Sequence, residues 1–373
     1  MPDPHVNNPH LVTPSGKARA RSLGVPFDGA PGANNAITDV PGVAVGYSTI
    51  IRGDGPLVIG EGPVRTGVTA ILPRGREGFT TPVFAGGFSL NGAGEMTGLI
   101  WAEESGQCEG PITITNTHSC GTARDATIRW IVDNYPAELA DAWGLPVAGE
   151  TYDGDLNDIN GFHVTPEHVF EALDNAASGP IELGSVGGGT GMICYDFKGG
   201  SGSASRRVGD YTVGAFVQAN FGIRSELTIA GVPVGRHITG GEVRGKPQGS
   251  IIAIVATDAP LMPHQLKRLA RRVGLGVGRS GSIAHNASGD IFLAFSTANR
   301  AAWAEGDDAR DCAFLPNHAL DPLFAAVVQA TDEAIIDSLV ANQTMTGRDG
   351  LTVMALPHDR LRKVLKQHGR LGG

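Results

Sequence analysis

The sequence predicts a layered domain in which stacked sheets are covered by helices on the outside. Along the 373 residues, predicted strands lead into a predicted helix at least twice, an order typical of domains that mix strands and helices in layers. The chain also contains 54 glycines, about double the usual share of roughly 7%. Such a content favours tight turns and close backbone packing. A doubly wound parallel sheet fits the same composition and stays open.

Strand patterns dominate the first third of the chain. They follow a polar, proline-rich opening that predicts a loose arm over residues 1–21. Apolar residues alternate or run together between turn residues in three predicted strands, at 34–50, 64–75 and 111–117. A helix is predicted from Glu95, after a glycine turn. Another follows the third strand, because Ala126, Trp130 and Ile131 recur at helical spacing.

Helix starts are clearest in the rest of the chain. Thr165 is a suitable N-cap and Pro166 suits the first helical position. An amphipathic helix is predicted at 262–274, and a long helix from Asp321 to just before Gly347. Between these helices lie three apolar runs that predict strands, at 211–220, 250–257 and 290–297.

Composition excludes several classes of protein. The net charge is −9 and no cluster of basic residues occurs, so neither nucleic acid nor an anionic membrane is an expected partner. No apolar segment approaches the roughly 20 residues that span a bilayer, and the opening segment is unlike a signal peptide. The four cysteines are dispersed, which favours free thiols in a cytoplasmic protein. His118 and Cys120 alone do not make a metal site, and we expect neither metal nor cofactor.

An abrupt change occurs between Gly249 and Ser250, where a polar loop meets the apolar run at 250–257. The simple interpretation is that the serine ends a turn. The alternative is that the chain is cut there, which would give Ser250 a free α-amine with a pKa of about 7.7–8.0, suited to a general base. Gly249 has no Cβ, so it would let the serine hydroxyl reach the preceding carbonyl.

Seven segments in order along the chain resemble the DmpA-type L-aminopeptidase/D-amidase-esterase family, which includes β-aminopeptidases. They are NNAITDVPGVAVGY (34–47), NGAGEMTG (91–98), PITITNT (111–117), ETYDGDLNDING (150–161), VQANFG (217–222), GSIIAIVATDAPL (249–261) and SGDIFLAFST (288–297). The resemblance implies an α+β sandwich, layered helix, sheet, sheet, helix, of the N-terminal-nucleophile type. It also implies self-cleavage between Gly249 and Ser250 into an α chain, 1–249, and a β chain, 250–373, that stay associated in a homo-oligomer, with a tetramer favoured.

The resemblance further assigns roles at five positions. Ser250 would be the nucleophile, and its freed amine the general base. Asn220 and Tyr152 would donate hydrogen bonds to the oxyanion of the tetrahedral intermediate. Ser288 and Asp290 match a pair that hydrogen-bonds around the nucleophile, although some relatives have Glu in place of Asp290. Two residues apart on a strand, they point to the same side.

The implied substrate is a small peptide, amide or ester with a free amino end, and L-, D- and β-aminoacyl residues all stay open. Four carboxylates are candidates to bind the substrate ammonium, namely those of Glu150, Asp153, Asp158 and Asp290. Two other hypotheses remain: an acyltransferase of the ornithine acetyltransferase type, and an uncleaved protein that binds an anion or nucleotide. The glycine-rich segment 184–206 lacks the GK[ST] ending of a phosphate-binding loop.

Overall fold

Two β-sheets lie face to face and helices cover both outer faces, as the sequence and its resemblance predict. The computed structural model describes residues 8–78, 80–137, 143–244, 249–303 and 306–371. In the described part of the chain, no helix is both long enough and apolar enough to cross a membrane. All four cysteines are free.

The strands are β1 Ala44–Arg52, β2 Val64–Leu72, β3 Val83–Gly92, β4 Gln107–Cys108, β5 Ile112–Asn116, β6 Val147–Thr151, β7 Ile193–Cys194, β8 Phe197–Lys198, β9 Gly200–Val208, β10 Tyr211–Asn220, β11 Gly249–Thr257, β12 Ser288–Ser296, β13 Met345–Thr346 and β14 Thr352–Val353. The α-helices are α1 Leu99–Ser105, α2 Cys120–Asn134, α3 Pro166–Asp174, α4 Val234–His237, α5 Pro263–Arg279, α6 Asp321–Val340 and α7 His358–Gln367. Short 3₁₀ turns connect several of these elements.

The smaller sheet has four strands in the order β1-β2-β5-β6. Its outer face packs against α2 and α3 through a core that includes Val68, Trp130 and Leu173. Helix α3 begins where the sequence predicts, with Thr165 as N-cap and Pro166 in the first turn. This sheet carries β6, whose end at Thr151 leads directly into the candidate site.

The larger sheet has six strands in the order β4-β3-β12-β11-β10-β9. Strand β11 lies near its centre, antiparallel to β10 and parallel to β12. Helices α5 and α6 cover the outer face, where Leu266, Leu269 and Ile335 are fully buried. Because β11 is paired on both sides, its first residues are held by two neighbouring strands.

Alternation along β11 determines which layer each of its side chains enters. Ile252 and Ile254 face the core between the two sheets, whereas Ile251 and Ala253 face the helices α5 and α6. Side chains two residues apart on a strand point to the same face, so the Ser250 side chain lies on the face between the sheets, as do those of Ile252 and Ile254. This places the serine side chain toward the smaller sheet, at the open end of the sandwich.

Two predicted helix boundaries differ from the structure. Helix α1 begins at Leu99 rather than Glu95, because Thr97 bonds Ala148 of β6 and Gly98 has φ +72°. The long helix α6 ends at Val340, seven residues before Gly347, where the Asn342 side chain donates to the Ser338 carbonyl within the helix and to two carbonyls outside it.

The N-terminal segment is anchored from residue 8 onward, where the sequence predicts a loose arm. Arg19 is buried, and its Nη2 lies 2.6 Å from Asp337 Oδ2 of α6. The same nitrogen donates to the Ser203 carbonyl of β9 at 2.8 Å. This buried ion pair fixes the segment across the larger sheet. The remainder of the predicted arm, residues 1–7, lies outside the described residues.

Candidate active site

A cavity of about 520 Å³ opens at the end of the sandwich where β6 and β11 meet. Polar and charged side chains from both sheets and from the loop before β11 line it: Glu95, Thr117, Glu150, Tyr152, Arg244 and Ser250. Two of the five predicted catalytic residues, Ser250 and Tyr152, therefore line one cavity. It is large enough for a small organic substrate.

The Gly249–Ser250 bond lies at the rim of this cavity, at the start of β11. Gly249 has φ +147°, and a Cβ added to it would lie 2.0 Å from the Asn220 carbonyl oxygen. No other residue fits this position without moving β11 away from β10. Ser250 is 4% exposed, and its strand partners are Asn220 on one side and Gly289 on the other.

Asn220 is directly opposite Ser250 and is fully buried. Its side-chain oxygen accepts two hydrogen bonds, from the Ile193 backbone N–H at 2.9 Å and from Arg244 Nη2 at 2.9 Å. Its Nδ2 donates to the Tyr152 carbonyl at 2.8 Å. These three bonds fix the orientation of the amide, and the strand register puts its side chain on the same face of the sheet as that of Ser250.

Tyr152 follows the end of β6, and 37% of it is exposed. Burial of the rest raises the pKa of its phenol. The hydroxyl therefore stays protonated at neutral pH, as a hydrogen-bond donor must be. Its backbone is tied to the Asn220 amide, so the two predicted oxyanion donors are held together.

Ser288 and Asp290 lie at the same end of the sheet but on its other face. Ser288 Oγ donates to Asp290 Oδ1 at 2.7 Å, so the two side chains do point to one side, as predicted. Gly249 pairs with Ser288 and Ile251 with Asp290, which places both on the helix side, behind the Ser250 backbone. Burial raises the pKa of Asp290 to about 6, and the nearby Ile251 amide opposes this.

The structure also ranks the candidate carboxylates for a substrate ammonium. Glu150 lines the cavity, where its Oε1 accepts from the Glu95 backbone N–H at 2.8 Å and its Oε2 accepts from the Thr117 hydroxyl. Burial raises its pKa. Asp153 is fully buried beneath the site, and Asp158 is bonded to His163 at 2.8 Å. Glu150 is therefore the best placed of the four.

Two features near the site carry no pattern that singles them out in the sequence. Arg244 lies in the loop before the Gly249–Ser250 junction, lines the cavity and donates to the Asn220 side-chain oxygen. Lys198 is fully buried, donates to the Met192 and Gly199 carbonyls at 2.9 and 2.7 Å, and has a pKa that burial lowers to about 7. Within the described ranges, no cluster of three or more His, Cys, Asp or Glu side chains suits a metal ion.

Comparison with known proteins covers most of the chain. Residues 35–353 match the family model of Peptidase family S58. The beta-peptidyl aminopeptidase BapA of Sphingosinicella microcystinivorans is 54% identical over 95% of this chain and 93% of its own length. The protein of the same name from Sphingosinicella xenopeptidilytica is 49% identical over 93% of this chain and 91% of its own length.

Solved structures agree with these matches. The L-aminopeptidase D-Ala-esterase/amidase of Ochrobactrum anthropi, a prototype of the serine aminopeptidases with a variant of the N-terminal-nucleophile hydrolase fold, superposes with a TM-score of 0.89. It is 50% identical, over 95% of this chain and 99% of that one. A Burkholderia sp. β-aminopeptidase superposes with a TM-score of 0.86 at 44% identity, over 94% and 99% of the two chains.

Proposed function

The chain belongs to peptidase family S58 and is an aminopeptidase of the serine, N-terminal-nucleophile class, and we propose that it matures by cutting itself between Gly249 and Ser250. In this proposal, Ser250 is the nucleophile both in maturation and in turnover. The substrates are small peptides, amides and esters with a free amino end, including those that begin with a β-residue.

One observation carries the proposal: the Gly249–Ser250 bond lies at the cavity rim with Asn220 directly opposite the serine. A nucleophile and an oxyanion donor must both lie close to the same carbonyl carbon. Two features support that arrangement: Ser250 and Asn220 are strand partners, and Gly249 lacks the Cβ that would separate β11 from β10. The bond to be cut and the groups that would cut it therefore share one end of the sheet.

Maturation would begin with attack of Ser250 Oγ on the Gly249 carbonyl carbon. The C–N bond then breaks, the serine nitrogen takes up a proton, and an ester joins Gly249 to Ser250 Oγ. Water hydrolyses this ester, which leaves a carboxylate on Gly249 and a free α-amine on Ser250. An α-amine has a reference pKa of about 7.7–8.0, so a large share of it is neutral at mildly alkaline pH and can accept a proton.

Turnover would use the same groups on an external carbonyl. The Ser250 amine takes the hydroxyl proton as Oγ attacks the substrate, and the oxyanion receives hydrogen bonds from Asn220 Nδ2 and the Tyr152 hydroxyl. The proton then passes to the leaving amine, and water later hydrolyses the acyl-enzyme. Ser288 and Asp290, behind the Ser250 backbone, would orient the new amine.

Glu150 is the proposed partner of the substrate ammonium. It lies in the cavity beside Glu95, and burial strengthens its preference for a nearby positive charge. A site that requires this ammonium would accept only substrates with a free amino end, which accounts for release of single N-terminal residues. Relatives that are 54% and 49% identical are β-peptidyl aminopeptidases, which supports activity on N-terminal β-residues.

The cut and the activity are tested together with Ser250→Ala. We expect purified wild type to contain two pieces, 1–249 and 250–373, the second beginning Ser-Ile-Ile on Edman sequencing. The variant should remain one chain without aminopeptidase activity, with unchanged thermal stability as the check on folding. Two fragments from the variant, or full activity from an uncut wild type, would contradict the proposal.

Substrate preference is tested with matched L-, D- and β-aminoacyl p-nitroanilides, together with N-acetylated controls. We expect hydrolysis of the free amines and none of the acetylated compounds, because acetylation removes the charge that Glu150 would bind. Equal hydrolysis of both sets would exclude ammonium recognition. Transfer of the acyl group to an added amine in preference to water would favour the acyltransferase hypothesis instead.

We also propose that the two pieces remain in one homo-oligomer, a tetramer, and that the protein works in the cytoplasm. Light scattering on the mature enzyme measures the first of these directly. The second rests on the free cysteines, which are typical of a reducing compartment.

A further inference from the structure

We infer that Arg244 is a positioning residue that acts through Asn220, and that the end of the N-terminal piece thereby stays a working part of the mature site. The inference rests on the proposed role of Asn220 as an oxyanion donor. It assigns a function to a residue that the proposed cut would leave close to the new end of the N-terminal piece.

The Arg244 side chain crosses from the loop before β11 to the amide of Asn220. Only 3% of it is exposed. Its Nη2 donates to Asn220 Oδ1 at 2.9 Å, and its Nη1 donates to the Ile193 carbonyl at 3.1 Å. Nε donates to Asp155 Oδ2 at 3.0 Å, and Nη2 lies 2.9 Å from the same carboxylate oxygen. The guanidinium is therefore held by the Asp155 carboxylate and the Ile193 carbonyl, and its Nη2 is shared between that carboxylate and the amide oxygen.

This contact decides which way the Asn220 amide faces. An amide has an accepting oxygen and a donating nitrogen of nearly the same shape. Arg244 and the Ile193 N–H are both donors, so only the oxygen suits their side. The nitrogen then donates to the Tyr152 carbonyl, and Ser250 is the strand partner of Asn220 on the same face of the sheet. Without the arginine, a single backbone N–H would hold the oxygen end.

Charge adds a second effect. A hydrogen bond from a guanidinium is stronger than one between neutral groups. Withdrawing electron density from the amide oxygen makes the N–H groups of the same amide better donors, since neighbouring hydrogen bonds polarise one another. The Asn220 amide would therefore bind a developing oxyanion better with Arg244 in place than without it.

The backbone of Arg244 is anchored independently of the junction. Its N–H donates to Asp196 Oδ1 at 2.9 Å, and the Val243 N–H donates to the same oxygen at 3.3 Å. Together with the Asp155 contact, these bonds lie upstream of Gly249 and do not depend on the Gly249–Ser250 bond. Cutting that bond would leave Arg244 in place, five residues from the new end.

A double-mutant cycle tests the inference. Arg244→Met keeps the length of the side chain but removes its charge and donors. It should lower kcat and the rate of self-cleavage about 10- to 100-fold, as expected for a lost hydrogen bond to a charged group, with KM changed less than about threefold. In the Asn220→Ala background the same change should have less than about a threefold effect, because the group through which Arg244 acts is gone.

Controls separate this role from a structural one. Arg236→Met, at an exposed arginine in the same region, should leave both rates unchanged, and Arg244→Lys should recover part of the loss. Asp155→Asn, which keeps Arg244 but weakens its anchor, should show a smaller effect of the same kind. Melting temperatures check that each variant folds. If Asn220→Ala matures too slowly for turnover assays, the cycle is measured on the self-cleavage rate.

The outcomes distinguish this inference from the proposed function. If Asn220→Ala is slow and Arg244→Met is equally harmful with or without Asn220, the oxyanion role stands and the inference is wrong. An Arg244→Met enzyme with wild-type rates would also overturn it. If Asn220→Ala itself has no effect, the oxyanion role fails and the inference fails with it.

Discussion

The sharpest consequence of the geometry at the junction is the effect of placing one methyl group on Gly249. In Gly249→Ala the new Cβ would lie 2.0 Å from the Asn220 carbonyl oxygen and 2.7 Å from the Phe221 Cα. Both atoms belong to the backbone of β10 or its continuation, so no side chain can swing away to make room. The start of β11 must shift, and with it the carbonyl that Ser250 would attack.

The size of the effect follows from two costs. Overpacking a closely packed site costs about 1–3 kcal/mol. An L-residue in a sparsely populated backbone region costs about 1–3 kcal/mol more, and Gly249 has φ +147°. About 1.4 kcal/mol corresponds to a factor of ten in rate. Even the lower sum, about 2 kcal/mol, predicts self-cleavage at least about 30-fold slower than in wild type.

The assay is a time course of the freshly expressed precursor, with the intact chain and the two fragments quantified by mass spectrometry. Gly209→Ala is the matched control. Gly209 also has positive φ, at +58°, but no atom lies within 4 Å of its added Cβ. The Gly209→Ala precursor should therefore cleave itself at the wild-type rate. Cleavage of Gly249→Ala within about threefold of wild type would refute the link between this close contact and the reaction.

Two further predictions concern buried charges. In steady-state kinetics, Glu150→Gln should raise KM at least about tenfold with little change in kcat. The wild-type KM should rise as pH falls through the raised pKa of Glu150, and this rise should be absent from the variant. An unchanged KM would exclude Glu150 as the ammonium partner. Burial lowers the pKa of Lys198 to about 7 in the folded protein. Between pH 7 and about 10.5, Lys198 is therefore protonated in the unfolded chain but largely neutral in the folded one, so its contribution makes the free energy of unfolding rise with pH. Lys198→Met should therefore be more destabilising at pH 9.5 than at pH 7 in urea unfolding, and equal effects at both would contradict the assigned shift.

Local patterns predicted much of this fold because they depend on neighbours in the chain. The start of α3 at Thr165 and Pro166 needs only a cap and a proline. The strand that begins at Gly249 is marked by an apolar run that no loop would tolerate. In both places, the preferences of adjacent residues and their tertiary surroundings favour the same structure.

Tertiary contacts decided what the sequence left open. Nothing near Arg244 in the chain indicates a bond to Asn220, because the two residues are distant in the sequence and meet only in the folded protein. Glu150 could not be ranked above Asp153 from the sequence, since both lie in the same motif, ETYDG. Burial beneath the site, rather than spacing, separates them. The end of α6 likewise depends on Asn342, which donates to the carbonyls of Lys198 and Gly199, far from it in the sequence.

The position of Ser250 in the sheet explains why a serine should begin a strand built for a buried core. A new chain end normally frays, because little holds its first residues. Here the residues that follow, from Ile251 to Thr257, are fully buried and paired on both sides by β10 and β12. The entropy of ordering them is offset by core packing before any cut takes place. A free amine created at Ser250 would therefore be held in one place beside its own hydroxyl, which is the condition for one residue to act as both nucleophile and base.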